Sequence, residues 1–128
     1  MKVHKLRFAW LAAALLSGGV LAGQAVVDED SMQLMEDRNK SLSSRIALKD
    51  AAGAKEDAQA LAEMFADVET YFAQKGKGDA VDWSKQSREL SADISRYVAA
   101  KDFDHASQSA VTLSKTCKTC HQTYKTES

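Results

Sequence analysis

Three observations predict an all-α chain folded as an antiparallel up-down-up-down four-helix bundle. From residue 26 onward there is no proline, and the glycines are Gly53, Gly76 and Gly78, each where an apolar helical pattern stops. Apolar residues recur at helical spacing in four successive stretches. No strand-period alternation competes with these patterns.

The first 25 residues read as a leader rather than as part of the fold. Lys2, Lys5 and Arg7 precede the apolar run from Phe8 to Leu16, and Gly23-Gln24-Ala25 offers a small-x-small cleavage site, the pattern of a secretory signal peptide. Ser17, Gly18 and Gly19 interrupt the run before it reaches the ~20 residues a membrane span needs. The expectation is a signal peptide over 1–25 and an exported, periplasmic domain over 26–128 with no span after cleavage. Residues 1–25 hold three of the 17 Lys and Arg and none of the 18 Asp and Glu, so the processed domain carries net −4, which argues against nucleic acid as a partner.

The first helix is expected over 29–49, with Asp28, Asp30 and Glu36 near its positive end and Arg45 and Lys49 near its negative end, as the helix dipole favours. Its apolar stripe is Met32, Met35, Leu42 and Ile46. The second, over 54–74, carries Ala58, Leu61, Met64, Phe65, Val68, Tyr71 and Phe72, and Gly76-Lys77-Gly78 ends it. Asp79 or Asp82 can cap the third, whose inner face is Trp83, Leu90, Ile94, Tyr97 and Val98 and which fades at Lys101. Asp102 then caps the fourth, with Phe103, Ala106, Ala110, Leu113, Cys117 and Tyr124 facing inward. Short connections make neighbours antiparallel, so the start of the first helix and the end of the fourth share one end of the bundle. That places Met32 and Met35 towards His121.

The most informative stretch is Cys117-Lys118-Thr119-Cys120-His121. C-x-x-C-H is the attachment signature of a c-type haem: two thiols add to the porphyrin vinyl groups and the adjacent imidazole takes the iron. On a helix, Cys117, Cys120 and His121 stand at i, i+3 and i+4 and project over one patch about a turn long. A dithiol redox motif would sit beside a βαβ pattern, which the sequence lacks. A zinc site would need a fourth ligand, and His105 stands 16 residues upstream, about 24 Å along one helix. A simple disulfide between the two cysteines is the remaining alternative for an exported chain.

The second axial position decides the function. A thioether there raises the potential and suits electron transfer, whereas a vacant position binds a diatomic gas such as NO or CO. Met35 is the first candidate and Met32 the second, both being on the apolar stripe at the correct end of the bundle. Arg38, one turn from Met35, and Lys125, one turn from His121, are candidates for pairing with a haem propionate. His105 reads as a surface residue, Trp83 and Tyr124 as core aromatics.

The segment Cys117-Lys118-Thr119-Cys120-His121-Gln122-Thr123-Tyr124-Lys125 resembles the class II c-type cytochromes, the cytochrome c-prime family, whose motif ends the last helix and is followed by an aromatic and a basic residue. The segment Met35-Glu36-Asp37-Arg38-Asn39-Lys40-Ser41-Leu42 is similar to the first helix of the soluble b-type four-helix cytochrome, which sets a Met near the start of its first helix opposite a His near the end of its last. Ser31 stands where many c-prime members carry an arginine, and Lys125 where they carry another. The resemblance implies axial ligation by His121 and Met35 in the low-spin branch, a single covalent haem c, redox proteins as partners, electron transport rather than enzymatic turnover, and room for a homodimer through the first two helices. Its high-spin branch implies the alternative, a five-coordinate gas binder.

Overall fold

Three of the four helix starts in this chain are set by aspartates, and the connections between helices by backbone turns. The computed structural model describes residues 27–124, so the leader expected over 1–25 and Lys125 lie outside the described residues. Asp28 opens the first helix with a reciprocal cap: its carboxylate accepts from the Ser31 N–H at 2.8 Å, while its own N–H donates to Ser31 Oγ at 2.9 Å. Four helices follow: α1 (Glu29–Ala47), α2 (Ala51–Gln74), α3 (Gly78–Ala99) and α4 (Phe103–Tyr124). They pack as the expected four-helix bundle, each on its chain neighbours and α4 back onto α1. Among the described residues none of the helices is long and apolar enough to cross a membrane.

The three connections share one design. Lys49, Gly76 and Lys101 sit at φ of 55°, 68° and 57°, the left-handed conformation that ends a helix. In each, the next N–H reaches back five residues: Asp50 to Arg45 O at 2.9 Å, Lys77 to Phe72 O at 3.0 Å and Asp102 to Tyr97 O at 2.8 Å. Asp50 and Asp102 then serve again as caps, accepting from the Gly53 N–H at 3.0 Å and the His105 N–H at 3.2 Å. Such tight reversals force antiparallel neighbours.

Two boundaries depart from the sequence pattern. Gly53 does not mark a break, because α2 already begins at Ala51 and the left-handed turn falls on Lys49. Gly53 is instead a point of close approach: a Cβ there would lie 2.7 Å from Arg45 Nη1 and 2.8 Å from Arg45 Cδ, and Arg45 Nη1 donates to the Gly53 carbonyl at 2.9 Å. Likewise α3 starts at Gly78 behind Lys77, with no side-chain cap, and Asp79 lies within its first turn. From within that turn the Asp79 carboxylate accepts from the Ala80 N–H at 2.9 Å.

Leu42, Leu61, Ile94, Val98 and Leu113 form the fully buried centre, each contributing about 1.5–3 kcal/mol through burial. On α3 the expected inner residues Trp83, Leu90 and Tyr97 are only half-buried, whereas Ser84, Ser87, Ser91 and Ser95 are buried. The α2–α3 contact is the most extensive of the bundle, and small side chains permit that approach. Two of these hydroxyls return to their own helix, Ser84 Oγ donating to Ala80 O at 2.7 Å and Ser91 Oγ to Ser87 O at 2.8 Å.

The α1–α2 pair is joined by a buried carboxylate. Asp57 is 1% exposed and accepts from Arg38 Nη1 at 2.9 Å and Ser41 Oγ at 2.6 Å, with Arg45 Nε at 3.5 Å. Asp57→Ala leaves both guanidinium groups without this acceptor. Because they are about one-third exposed, water recovers part of the loss, and the expected destabilisation is about 2–4 kcal/mol, measurable by urea unfolding. Lys101→Gly should act in the opposite direction: relief of a left-handed lysine, about 1–2 kcal/mol, outweighs the added chain entropy of about 0.4–1 kcal/mol, and the same titration reads the gain.

Candidate functional site

The last two turns of α4 carry the motif, and threonines flank it. Thr116, Thr119 and Thr123 each return their hydroxyl to the carbonyl four residues earlier, at 3.1, 3.0 and 3.3 Å, so these polar side chains are satisfied on the helix. Tyr124 anchors the end. Its ring packs 5.3 Å from Phe72 of α2 and 6.2 Å from Trp83 of α3, and its hydroxyl donates to Asp79 at the start of α3. The expectation that Trp83 and Tyr124 are core aromatics holds in that they pack together, although both remain half-buried.

Cys117 and Cys120 are free, half-buried thiols packed against the same core that contains Met35. Burial, reinforced by Cys120, pushes the Cys117 thiol up to about 11. Burial and then the Asp79 carboxylate push Cys120 up as well. His121 is exposed on the next position of the helix. Among the described residues no group of three or more His, Cys, Asp and Glu side chains converges as a metal site.

The opposite side of the seam belongs to α1. Met35 is 7% exposed within the core and Met32 is half-buried against it. Asn39 Nδ2 donates to Ser114 Oγ at 3.0 Å, which fixes the register of α1 on α4. Counting equal rises in both directions from that pair brings Met32 level with His121 and Met35 level with Lys118. By that count Met32 and Met35 both lie within about a turn of His121 along the bundle axis.

Arg38 faces the other way, with its guanidinium on Asp57 and 3.8 Å from Glu56. His105 is exposed as expected, with Nδ1 2.7 Å from Asp102 and its ring stacked on Tyr97. Asp79 was read in the sequence only as a helix cap, and Asn39 was not singled out. Asn39 had a legible signal, a polar residue at i+4 from Met35 in line with the apolar stripe; the contact of Asp79 with Tyr124 is revealed only by the helix that packs over it.

These features fit a covalently tethered haem: two reduced, inward-facing thiols, an imidazole on the next residue and a buried thioether across the α1–α4 seam. The same seam contains a cleft of about 340 Å³ between Ser43 and Ile46 of α1 and Ala110, Val111, Ser114 and Lys118 of α4. It also contains the buried, unpaired Asn39 Oδ1.

The Tyr124 hydroxyl holds the Asp79 carboxyl below its ordinary value of 3.8. A carboxyl depressed on folding stabilises the fold above the ordinary carboxylate range and loses that contribution as pH falls through its folded value. Tyr124→Phe, which keeps the ring, is therefore expected to lower stability more at pH 7 than at pH 3, as denaturant unfolding at the two pH values would show. Compared with protein-family models, curated proteins and solved structures, the chain matches none of them.

Proposed function

We propose that this protein is an exported, periplasmic monohaem cytochrome of the class II c-type kind, carrying single electrons between redox proteins. The observation that supports it most is the pair Cys117 and Cys120, free and inward-facing, followed by His121 on a bundle helix opposite the buried Met35. In this reading Cys117 and Cys120 tether the haem, His121 supplies one axial nitrogen and Met35 the other axial sulfur. When bound, the haem supplies a single reversible electron.

The chain's own part is to hold and shield. Leu42, Leu61 and Leu113 exclude water from the bundle interior, and a His/Met pair on a dry iron raises its potential. The Tyr124–Asp79 contact keeps the last turn of α4 on α3, so that the thiols remain directed inward. In this reading the chain holds and shields the haem, and the protein is a carrier rather than an enzyme.

Haem that stays with the denatured polypeptide, together with sharp α and β bands in the ferrous spectrum that carbon monoxide leaves unchanged, is the expected result. Met35→Ala should turn the protein high-spin and responsive to carbon monoxide, with Met32→Ala silent. A parent protein that is already high-spin and carbon monoxide-sensitive would establish the gas-binding alternative instead.

A further inference from the structure

Three of the four helix pairs are closed by charged or aromatic contacts, whereas α1 and α4 meet through the Asn39–Ser114 hydrogen bond. Asp57 closes α1 on α2; Arg88 Nε meets Glu69 Oε2 at 2.8 Å between α3 and α2; Tyr124–Asp79 and the Tyr97–His105 stack close α4 on α3. The α1–α4 seam has the least extensive contact of the four, and it is where the cleft lies.

Asn39 is the α1 residue that hydrogen-bonds α4 across that seam. One half of its amide bonds Ser114 and the other half, buried, has no partner. Exchanging the two halves of the amide alters nothing, because Ser114 can donate as well as accept and one half is unpaired in either orientation. A buried amide half left without a partner is costly, so its presence in a seam that packs lightly points to a polar group that enters there.

Resting on the haem reading, we propose that Asn39 is a haem-positioning residue whose amide parts from Ser114 on haem binding and hydrogen-bonds a propionate. The rim of a porphyrin is otherwise apolar, so its propionates are the groups that can satisfy an amide. Arg38 is committed to Asp57 on the far side of α1, whereas Asn39 stands at i+4 from Met35 on the side facing α4. The same seam thus supplies a sulfur for the iron and an amide for the porphyrin rim.

The test uses the haem-loaded protein. Side-chain amide resonances of Asn39, identified by their loss in Asn39→Asp, are expected to move between the ferric and ferrous forms, as protons close to the haem do. Asn39→Ala should lower Tm by roughly 5 °C or more, the scale of one lost hydrogen bond to a charged group, while Ser114→Ala is silent and the double variant adds nothing further. Mutually coupled effects of the two substitutions would mean that the Asn39–Ser114 bond persists with haem bound, and would overturn the proposal; so would resonances that do not move. If Asn39→Ala does not fold, Asn39→Asp keeps the shape and adds a negative charge, and is expected to lower the midpoint potential; an unchanged potential counts against the proposal. A chain isolated without covalent haem overturns the haem reading and this proposal together, whereas loaded protein with a persisting Asn39–Ser114 bond overturns this proposal alone.

Discussion

The buried carboxylate of Asp57 decides which face of α1 reaches the rest of the bundle. A carboxylate withdrawn from water requires donors on most of its lone pairs, and here α1 provides them from Arg38, Ser41 and Arg45, all on one side of the helix. Once that side is committed to α2, the 3.6-residue period leaves Met35, Leu42 and Ile46 facing the core and Asn39 facing α4. A rotation of α1 by one residue position would break the cluster and carry Met35 out of the interior. The side chains offered to the end of α4 thus follow from an electrostatic constraint on the other side of the helix.

The bundle is unevenly closed. The α2–α3 contact is tight because α3 turns a row of serines inward, and each short turn restrains the next helix. The α3–α4 pair is held at both ends, by the stacked Tyr97 and His105 at one and by Tyr124, Trp83 and Asp79 at the other. What remains is the seam between the chain's first and last helices, which no turn connects. Packing is least there, and the cleft and the unpaired Asn39 amide both lie on that seam.

Both thiols are shifted towards the protonated, unreactive form. Burial raises both above their ordinary range, and the Asp79 carboxylate adds to the rise at Cys120. A thiol so disposed contains little thiolate, which is the form that attacks other sulfurs. The same carboxylate also receives the Tyr124 hydroxyl, so one acidic residue on α3 couples the electrostatics of the motif to the anchoring of its helix.

The helix count, the antiparallel order and the position of the C-x-x-C-H motif on the fourth helix were legible in the sequence, because hydrophobic period and motif spacing are local properties. The stripe on α2 also survived nearly intact, since apart from Asp57 its inner residues are apolar and burial follows hydropathy there. The serine face of α3 was not legible, because close helix approach selects for size and the hydroxyls bond their own backbone. Turn placement was hidden as well: Lys49 and Lys101 hold left-handed conformations that composition assigns to glycine, and Gly53 serves steric room for Arg45 instead. Arg38 could be placed one turn from Met35 by counting, but only packing determines that its charge belongs to Asp57. Sequence by itself determined which residues carry ligand chemistry; tertiary structure decided which of them come near one another, because that depends on how each helix is rotated against partners distant in the chain.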